Sequence, residues 1–312
     1  MPHDAMRGSG PQAADWLDLG LAECEPGDAM PDWSQEEVSR AVEDYFDMLR
    51  LEIDGEAYSK AERQRRLARR LNGRTPKAVG RKHSNISAVL VELGLPFIDG
   101  YKPLFNYQIA LRECVCAYVR EHEGIVSDFA ALAASAELPR HDISSTAEVL
   151  ADPPDMIRPV HHIDTETRTE WRRYGIVSIE AANRRLTEAG ESLVLHFERL
   201  RLEESGCGEL AAAVRPAGSQ LGVQRSQAVV SFNEDGSERV IAVKTTRFCR
   251  SFPFLLSRHE AESRCERPDD YWLYRVFNFH RHPQLFMLRG NASDRCRLEP
   301  DTYRVDFGSR VA

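Results

Sequence analysis

Residues 227–246 read QAVVSFNEDGSERVIAVKTT, and this stretch decides the fold of the second half of the chain. Apolar and β-branched residues at 227–232 predict a strand, and a similar composition at 239–244 predicts a second one. Between them lies the Asp-Gly pair at 235–236, which strongly favours a tight turn. We therefore predict an antiparallel hairpin whose turn spans residues 234–237.

A helix is predicted before this hairpin, and further strands are predicted after it. The helical pattern covers residues 178–202, and we expect Ser178 to cap this helix and Gly190 to interrupt it. The order helix, three-stranded meander, helix and strands predicts an α+β fold. The later elements are a third strand at 252–256, a helix from Ser257 to about Glu266, and strands at 271–279 and 285–288.

The first half of the chain has helical periodicity. Apolar residues recur at helical spacing from Val38 to Leu49, after an expected cap at Ser34. Ser59 begins a Ser-Lys-Ala-Glu capping box for the next helix. Two short helices that meet at a tight turn then resemble a helix-turn-helix unit, although a plain helical bundle has the same periodicity. The predicted helices after the capping box are a short one from Pro76 to about His83, one at 85–93 and one from 106 to about 121.

Composition and proline positions divide the chain into four parts. Residues 1–32 are predicted to be an acidic flexible tail, and residues 33–124 an all-helical head domain. Prolines break residues 125–168, which we interpret as a connector with a linker at about 150–165. Residues 169–312 are predicted to form the C-terminal domain.

The formal net charge of −8 hides a strong separation of charge along the chain. Residues 1–58 hold 15 acidic and three basic residues, a net charge of −12. Residues 60–83 hold ten basic residues and one acidic residue, a net charge of +9. Such a stretch is typical of a phosphate-binding surface, although a solvated helix face balanced by the acidic segment has the same composition. The candidate nucleic-acid contacts in it are Arg63, Arg66, Arg69, Arg70, Arg74, Lys77, Arg81 and Lys82.

Composition and cysteine spacing argue against several classes of protein. No stretch has the roughly 18 continuous apolar residues of a membrane span, and the first ten residues lack the apolar core of a signal peptide. The seven cysteines form no Cys-x₂-Cys pair, which argues against a structural zinc site. We therefore expect a cytoplasmic protein with reduced cysteines, no metal site, no cofactor and no membrane partner.

Several segments of the second half resemble a known family, the domain at the C-terminus of the plant protein NO VEIN. The resemblance extends over about residues 170–300 and includes the helix that carries Gly190-Glu191 and Phe197-Glu198-Arg199. The family is similar to the PD-(D/E)XK restriction-endonuclease superfamily. The other segments that carry the resemblance are IAVKTT at 241–246, FPFLLS at 252–257 and YWLYRVF at 271–277.

This resemblance implies a nuclease site that the sequence carries only in part. In the superfamily two carboxylates hold Mg²⁺, and a lysine orients or activates the attacking water. The pattern would place Asp at position 228 and Glu at position 242, where this chain has Ala228 and Ala242, whereas Lys244 is present. Because alanine cannot bind a cation, the resemblance implies a degenerate nuclease, unless Glu191 or Glu198 supplies a relocated carboxylate.

The first half resembles a helical region found in front of HNH and McrA-type restriction nucleases. The resemblance covers about residues 33–120 and implies that this region engages DNA, in agreement with the basic stretch. The segments that carry it are WSQEEV at 33–38, KHSNISAVL at 82–90 and GYKP at 100–103.

Three functions remain open from the sequence. The leading hypothesis is a DNA-associated protein of restriction or defence type, in which Thr245, Thr246 and Arg247 also contact phosphate without a metal. The second is an active Mg²⁺-dependent endonuclease with Lys244 and relocated carboxylates. The third is a protein-interaction module. A partner nuclease or a second copy of the chain is a possible partner under the first hypothesis.

Overall fold

Helices make up the first part of the described structure, and a mixed sheet makes up the second. This confirms the predicted α+β class. The structure is a computed structural model that describes residues 32–154, 170–217, 228–261, 270–290 and 296–299, apart from positions 72, 171, 173 and 259.

The chain divides into two units. In the first, Met1–Ser34, only residues 32–34 are described, and they form no helix or strand. Nearly all of the predicted tail therefore lies outside the described residues. The second unit runs from Gln35 to Ala312. Its subdivision into a head, a connector and a C-terminal domain stays a prediction.

The helices of the first half begin where their capping residues predict. Ser59 Oγ accepts a hydrogen bond from the Glu62 N–H at 3.3 Å, and Thr75 Oγ1 accepts one from the Ala78 N–H at 3.2 Å. Each bond satisfies a backbone donor that a helix start otherwise leaves without a partner. The helices are α1 (Gln35–Ile53), α2 (Lys60–Ala68), α3 (Pro76–Leu93), α4 (Ile109–Glu121) and α5 (Gly124–Ala134).

Tyr45 lies at the centre of the helical core and has no exposed surface. Its hydroxyl lies 2.8 Å from Ser87 Oγ on α3 and accepts the backbone N–H of Ile98 at 3.0 Å. The phenol therefore joins α1, α3 and the segment after α3 while its own polar atom is satisfied. The apolar stripe predicted for α1 is confirmed, because Val38, Val42, Tyr45, Phe46 and Leu49 are all buried.

Helix α3 has no break near Ser84, so the predicted division into two short helices there is wrong. Its central polar residues are held by tertiary contacts. Asn85 Nδ2 donates to the Leu104 carbonyl at 2.6 Å, and Ser87 contacts Tyr45. Polar residues that find such partners do not have to end a helix. Helices α2 and α3 are instead two separate helices, connected by residues 69–75.

Two helix predictions in the middle of the chain need correction. Helix α4 begins at Ile109, three residues later than predicted. Helix α5 lies in a segment for which only mixed structure is predicted. Its buried residues Ile125, Phe129 and Ala133 recur every four positions, so the sequence carries the signal of this helix.

The helix predicted at 178–202 is in fact two helices, α6 (Ile176–Ala182) and α7 (Arg184–Glu204). Ser178 lies inside α6 and is not a cap. Asn183 separates the two helices, and its Oδ1 accepts the Leu186 N–H at 3.2 Å. Gly190 does not interrupt α7. A short helix α8 (Gly208–Ala213) follows.

Within the described residues, five strands form one sheet and lie side by side in chain order, β1-β2-β3-β4-β5. The β2–β3 pair is the predicted hairpin, and its turn contains Gly236 with φ of +85°. Strands β3 and β4 pair in parallel, and the other neighbours are antiparallel. The strands are β1 (Arg215–Pro216), β2 (Ala228–Phe232), β3 (Glu238–Thr245), β4 (Tyr271–Phe277) and β5 (Gln284–Arg289).

Residues 252–256 do not form the predicted third strand of a meander. Pro253 has no N–H to donate, and the Phe252 N–H is used in a turn with the Cys249 carbonyl at 3.0 Å. The buried Phe252 ring shows that this apolar run packs against the sheet without joining it. The chain instead crosses over from β3 to a parallel β4.

Helix α7 covers one face of the sheet. Its residues Leu193, Val194 and Phe197 pack with Ile241 and Val243 of β3 in the larger core cluster. The opposite face forms a smaller cluster that includes Ala242 and Leu273. Lys244 lies on the side of β3 that Ala242 faces, because side chains two residues apart point to the same side.

Loops at the end of β4 contact the helical half. The His280 ring lies between two carbonyl oxygens, with Nε2 at 2.9 Å from that of Glu52 and Nδ1 at 2.6 Å from that of Arg247. Asn278 Nδ2 donates to Asp99 Oδ2 at 3.1 Å. Helix α1 is therefore tied to the sheet through polar contacts. None of the described helices has the combination of length and apolar composition that crossing a bilayer requires.

Replacing Gly190 by alanine is expected to lower the free energy of unfolding by roughly 1–3 kcal/mol, the usual cost of an overpacked contact. A Cβ at this position would overlap Thr245 Oγ1 and lie 2.8 Å from Thr245 Cβ, so α7 and β3 would have to move apart. Urea unfolding of the full chain measures the change.

Gly124→Ala is the matched control, because a Cβ there meets nothing within 4 Å and alanine favours the first turn of α5. Combining Gly190→Ala with Thr245→Ala should recover part of the loss. Equal unfolding free energies for Gly190→Ala and Gly124→Ala would contradict the close contact.

Candidate functional site

Of the ten basic residues at 60–83, four are at least partly buried and six are exposed. Arg74 and Lys82 are buried, and Lys60 and Arg63 are half-buried. Lys60 Nζ donates to the Asp99 carbonyl. Only part of the charge counted in the sequence therefore faces solvent. The exposed members are Arg65, Arg66, Arg69, Arg70, Lys77 and Arg81.

Arg63 is bound to an acidic residue of α1. Its Nη1 lies 3.2 Å from Asp44 Oδ1, and the same carboxylate lies 3.6 Å from Nε2 of the fully buried His83. Burial, and then the charge of Arg63, lower the pKa of His83 to about 3. His83 is therefore neutral at physiological pH, and its Nδ1 lies 3.1 Å from the Tyr101 hydroxyl. Arg63 joins α2 to α1 in this cluster.

Arg74 and Lys82, two other predicted nucleic-acid contacts, also bind groups of the protein itself. Arg74 makes a bidentate pair with Glu37 of α1, with both N–O distances at 2.8 Å. Lys82 Nζ donates to Gln108 Oε1 at 3.4 Å. Acidic residues of α1 thus neutralise part of the positive charge at 60–83, as expected for a solvated helix face balanced by the acidic segment.

Exposed cations lie on α2 and on the first part of α3, two helices that pack against each other, and these cations are called the basic face. Arg65 and Arg69 are four residues apart on one helix, and Lys77 and Arg81 are four apart on the next. No acidic partner of these four side chains is found in the described part of the chain. The first turn of α3 also holds no acidic residue, so its helix dipole adds to the positive potential.

Arg66 and Arg70, at the border of this basic face, line a polar depression beside α1 together with acidic residues. Arg66 Nη2 lies 3.8 Å from Asp44 Oδ1, and its side chain is 59% exposed. Arg70 accepts a hydrogen bond at its carbonyl from Arg40 Nη1 at 3.0 Å. These two arginines are accessible but partly offset by the carboxylates of α1.

In the sheet, the two alanines at the implied metal-ligand positions are direct neighbours. Ala228 of β2 is the cross-strand partner of Ala242 of β3, and both are buried. Because cross-strand partners point to the same side of a sheet, the two side chains are neighbours on one face. The side chains are methyl groups, so the face offers no carboxylate there.

Lys244 is paired with a carboxylate that the sequence analysis missed. Its Nζ lies 2.7 Å from Glu260 Oε1, and Glu260 Oε2 accepts the Ser257 N–H at 2.8 Å. Ser257 Oγ in turn accepts the Glu260 N–H at 3.2 Å, so the predicted cap at Ser257 is confirmed as a capping box. The Ser-x-x-Glu spacing was the available signal for Glu260. The predicted helix from residue 262 to its end at about 266 lies outside the described residues.

Glu198 lies on the opposite face of the sheet from Ala242. It is fully buried and accepts hydrogen bonds from Ser231 Oγ at 2.6 Å and the Tyr274 hydroxyl at 2.7 Å. Arg201 adds a bidentate pair at 2.9 and 2.7 Å. Each carboxylate oxygen of Glu198 therefore accepts two hydrogen bonds, and those from Ser231 and Tyr274 hold α7 against β2 and β4.

Glu191 is half-buried on α7, and its Oε1 has no hydrogen-bond partner in the described structure. Burial first, and then the neighbouring carboxylate of Glu188, raise its pKa to about 7. Its relation to catalysis stays a prediction, as does that of Glu198 and Lys244.

The residues after Lys244 differ strongly in accessibility. Thr246 and Arg247 are buried and both bind Glu180 of α6: the Thr246 hydroxyl donates at 2.6 Å, and the Arg247 N–H at 2.8 Å. The Arg247 guanidinium donates to two backbone carbonyls, those of residues 135 and 137. Thr245 alone of these three is partly exposed. Sequence analysis gave no signal for Glu180.

The residues around Lys244 do not fit a magnesium ion. Mg²⁺ requires several oxygen ligands in octahedral geometry. Positions 228 and 242 supply none, and both oxygens of Glu180 and Glu260 already accept hydrogen bonds or an ion pair. Within the described residues, no three His, Cys, Asp or Glu side chains are arranged to hold a metal.

The sequence profile of the family described as Protein NO VEIN, C-terminal, matches residues 190–288. Residues 190–288 are therefore similar to this family, and this segment is called the NO VEIN C-terminal domain here. This domain contains most of α7, all of α8 and β1 to β4, and it ends in β5, so it includes Lys244 and the two alanines of the sheet. The resemblance predicted from the sequence is thereby confirmed for this part of the chain, which is about a third of its length. Comparison with curated proteins and with solved structures gives no significant match.

The helical region before the NO VEIN C-terminal domain is consistent with the predicted head, because α1 to α4 lie within it. The resemblance of this region to the one in front of restriction nucleases stays a prediction. Contact with DNA by this region stays a prediction.

The buried His83 is expected to make the protein less stable as the pH falls from 7.5 to 5.5. In the unfolded chain a histidine binds a proton near pH 6.5, whereas His83 in the folded protein has a pKa of about 3. The unfolded state therefore gains a proton that the folded state does not, and His83 alone lowers the unfolding free energy by about 1.4 kcal/mol at pH 5.5.

Urea unfolding at both pH values, on the wild type and on His83→Gln, tests this contribution. Between pH 7.5 and pH 5.5, the unfolding free energy of the variant should fall by about 1.4 kcal/mol less than that of the wild type. His122→Gln, at an exposed histidine, is the control and should match the wild type. A His83→Gln variant with the full pH dependence of the wild type would refute a neutral His83.

Proposed function

We propose that this protein binds duplex DNA through the basic face of α2 and α3 and carries a NO VEIN C-terminal domain that does not cleave DNA by the two-carboxylate, magnesium-dependent route. The observation that carries the proposal is the group of exposed cations on adjacent helices, Arg65, Arg69, Lys77 and Arg81, for which the described residues supply no acidic partner.

The geometry of this face suits a phosphate backbone. Cations spaced by one helical turn on two packed helices can each meet a phosphate without reading the bases. The start of α3 adds the positive end of a helix dipole to the same region. Binding of this kind is tight at low salt, weakens steeply with added salt and discriminates little between sequences.

The C-terminal domain supports a binding role. Its Lys244 is neutralised by Glu260, and the implied metal-ligand positions are methyl groups. A partner nuclease recruited to bound DNA is consistent with a function of restriction or defence type, which this proposal includes. Cleavage by the chain itself would need carboxylates that the residues around Lys244 do not provide.

The double variant Arg65→Glu with Arg69→Glu is expected to weaken binding to a short labelled DNA duplex by at least about tenfold at low salt. It should also lower the slope of log affinity against log salt by about two, one for each phosphate contact removed. Fluorescence anisotropy over a range of salt concentrations measures both quantities.

Arg140→Glu with Arg185→Glu is the matched control, since it makes the same charge change at two exposed arginines outside the basic face. It should leave the salt slope near that of the wild type. An absence of DNA binding at low salt, or the same loss in both double variants, would refute the proposed interface. A clear preference for RNA duplexes over DNA would reassign the ligand.

The wild-type protein is expected to leave plasmid DNA uncut in the presence of Mg²⁺ or Mn²⁺, because its implied ligand positions hold alanine. Agarose gels of supercoiled, modified and single-stranded substrates measure this. Metal-dependent cutting that Glu191→Gln abolishes, while the fold stays intact by circular dichroism, would establish the relocated-carboxylate nuclease instead.

A further inference from the structure

Helix α2 presents part of the basic face, but few apolar contacts anchor it. It has nine residues, and the buried ones, Leu67 and Ala68, both lie at its C-terminal end. A helix this short is marginal on its own, so contacts with the rest of the protein decide where it lies. The position of its first turn therefore depends on polar contacts.

Two acidic residues hold the start of α2. Lys60, the first residue of the helix, donates from Nζ to the carbonyl oxygen of Asp99. Tyr58, two residues earlier, donates from its hydroxyl to Glu52 Oε1 at 2.7 Å. Because Glu52 lies in the last turn of α1 and Asp99 follows α3, the start of α2 is held from two sides.

Both acidic residues are bound in turn by the loop between β4 and β5, residues 278–283. Asn278 Nδ2 donates to Asp99 Oδ2 at 3.1 Å, and His280 Nε2 lies 2.9 Å from the carbonyl oxygen of Glu52. This loop belongs to the NO VEIN C-terminal domain. The domain therefore reaches the start of α2 through one intermediate residue on each side.

Asn278 has an unusual backbone conformation. Its φ is +54°, and within the described residues it is the one non-glycine residue with a positive φ. Its N–H donates to the Phe248 carbonyl at 2.8 Å, and its own carbonyl accepts the Arg281 N–H at 3.0 Å. A left-handed residue with a side chain is costly and persists where its surroundings fix it. Glycine adopts this conformation more easily, so an asparagine here points to a use for its amide.

We propose that Asn278 is a positioning residue for DNA binding. Through Asp99 and Lys60 it fixes the start of α2, and thereby the direction in which Arg65 and Arg69 face the phosphate backbone. The inference rests on the proposed binding of DNA by the basic face. The NO VEIN C-terminal domain thus contributes to binding through a loop that itself needs no contact with DNA.

Asn278→Gly is expected to weaken binding to the labelled DNA duplex at low salt by at least about threefold, a size usual for residues that act through others. Glycine adopts the left-handed backbone readily, so this change removes the amide without adding strain. Fluorescence anisotropy measures the affinity, and circular dichroism verifies that the helical content is that of the wild type.

Asn233→Gly is the matched control and should bind DNA as the wild type does. Asn233 lies in the β2–β3 turn of the same domain, and its side chain bonds with Ser237 and Arg239 of the same hairpin. An unchanged affinity of Asn278→Gly, or the same loss in Asn233→Gly, would overturn the proposal. An absence of DNA binding by the wild type would refute the basic face itself and, with it, this inference.

Two charge-change backgrounds test the route through α2. In the Arg65→Glu, Arg69→Glu double variant the contacts of α2 are already lost, so Asn278→Gly should cause no further loss. In a Lys77→Gln, Arg81→Gln double variant, which changes α3 alone, Asn278→Gly should keep its full effect of about threefold. An equal further loss in both backgrounds would show that Asn278 does not act through α2 and would refute its role.

Exchanging the two side chains tests the contact between them. Asn278→Asp alone brings two carboxylates together and should weaken DNA binding by at least about threefold. Combined with Asp99→Asn, it again pairs an amide with a carboxylate, and the affinity should return to within about twofold of the wild type. A combination that binds no better than Asn278→Asp would contradict the proposed contact.

Hydrogen exchange of the free protein gives a readout that needs no DNA. In Asn278→Gly the backbone amides of α2 should exchange faster than in the wild type, whereas those in the centre of α3 should not change. The same rates in α2 of both proteins would overturn the positioning role.

Discussion

The architecture of the second half depends on one buried carboxylate, that of Glu198. It accepts hydrogen bonds from Ser231 on β2 and Tyr274 on β4 and forms an ion pair with Arg201 one turn further along α7. A carboxylate with no exposed surface is tolerated only when its lone pairs are used in this way. These bonds fix the position of α7 on the sheet, and in that position Gly190 contacts Thr245.

Local signals explain which elements could be predicted. The Asp-Gly turn at 235–236 and the caps at Ser59, Thr75 and Ser257 act within a few residues, and each is found as predicted. The errors have non-local causes. In the sequence Gly190 suggests a helix break, whereas in the structure its lack of a side chain leaves room for Thr245 of β3. Residues 252–256 have the composition of a strand but pack beside the sheet.

The same distinction applies to the candidate sites. The pattern of Ala228, Ala242 and Lys244 could be assigned to one face of two strands from their spacing. The partners of the charged groups could not be assigned, because Glu260, Glu180 and Asp44 come from other helices. A count of charge over 60–83 therefore describes the composition of α2 and α3 correctly but overstates the positive charge that reaches solvent.

The parallel pairing of β3 and β4 has a consequence for the order of folding. Partners such as Val240 and Tyr271 are about 30 residues apart, whereas the β2–β3 hairpin closes over a tight turn. Contacts between distant residues form late, since a long loop must close first. During synthesis the outer edge of β3 consequently stays unpaired until β4 has left the ribosome. That open edge is the point at which the growing chain is most exposed to association with other strands.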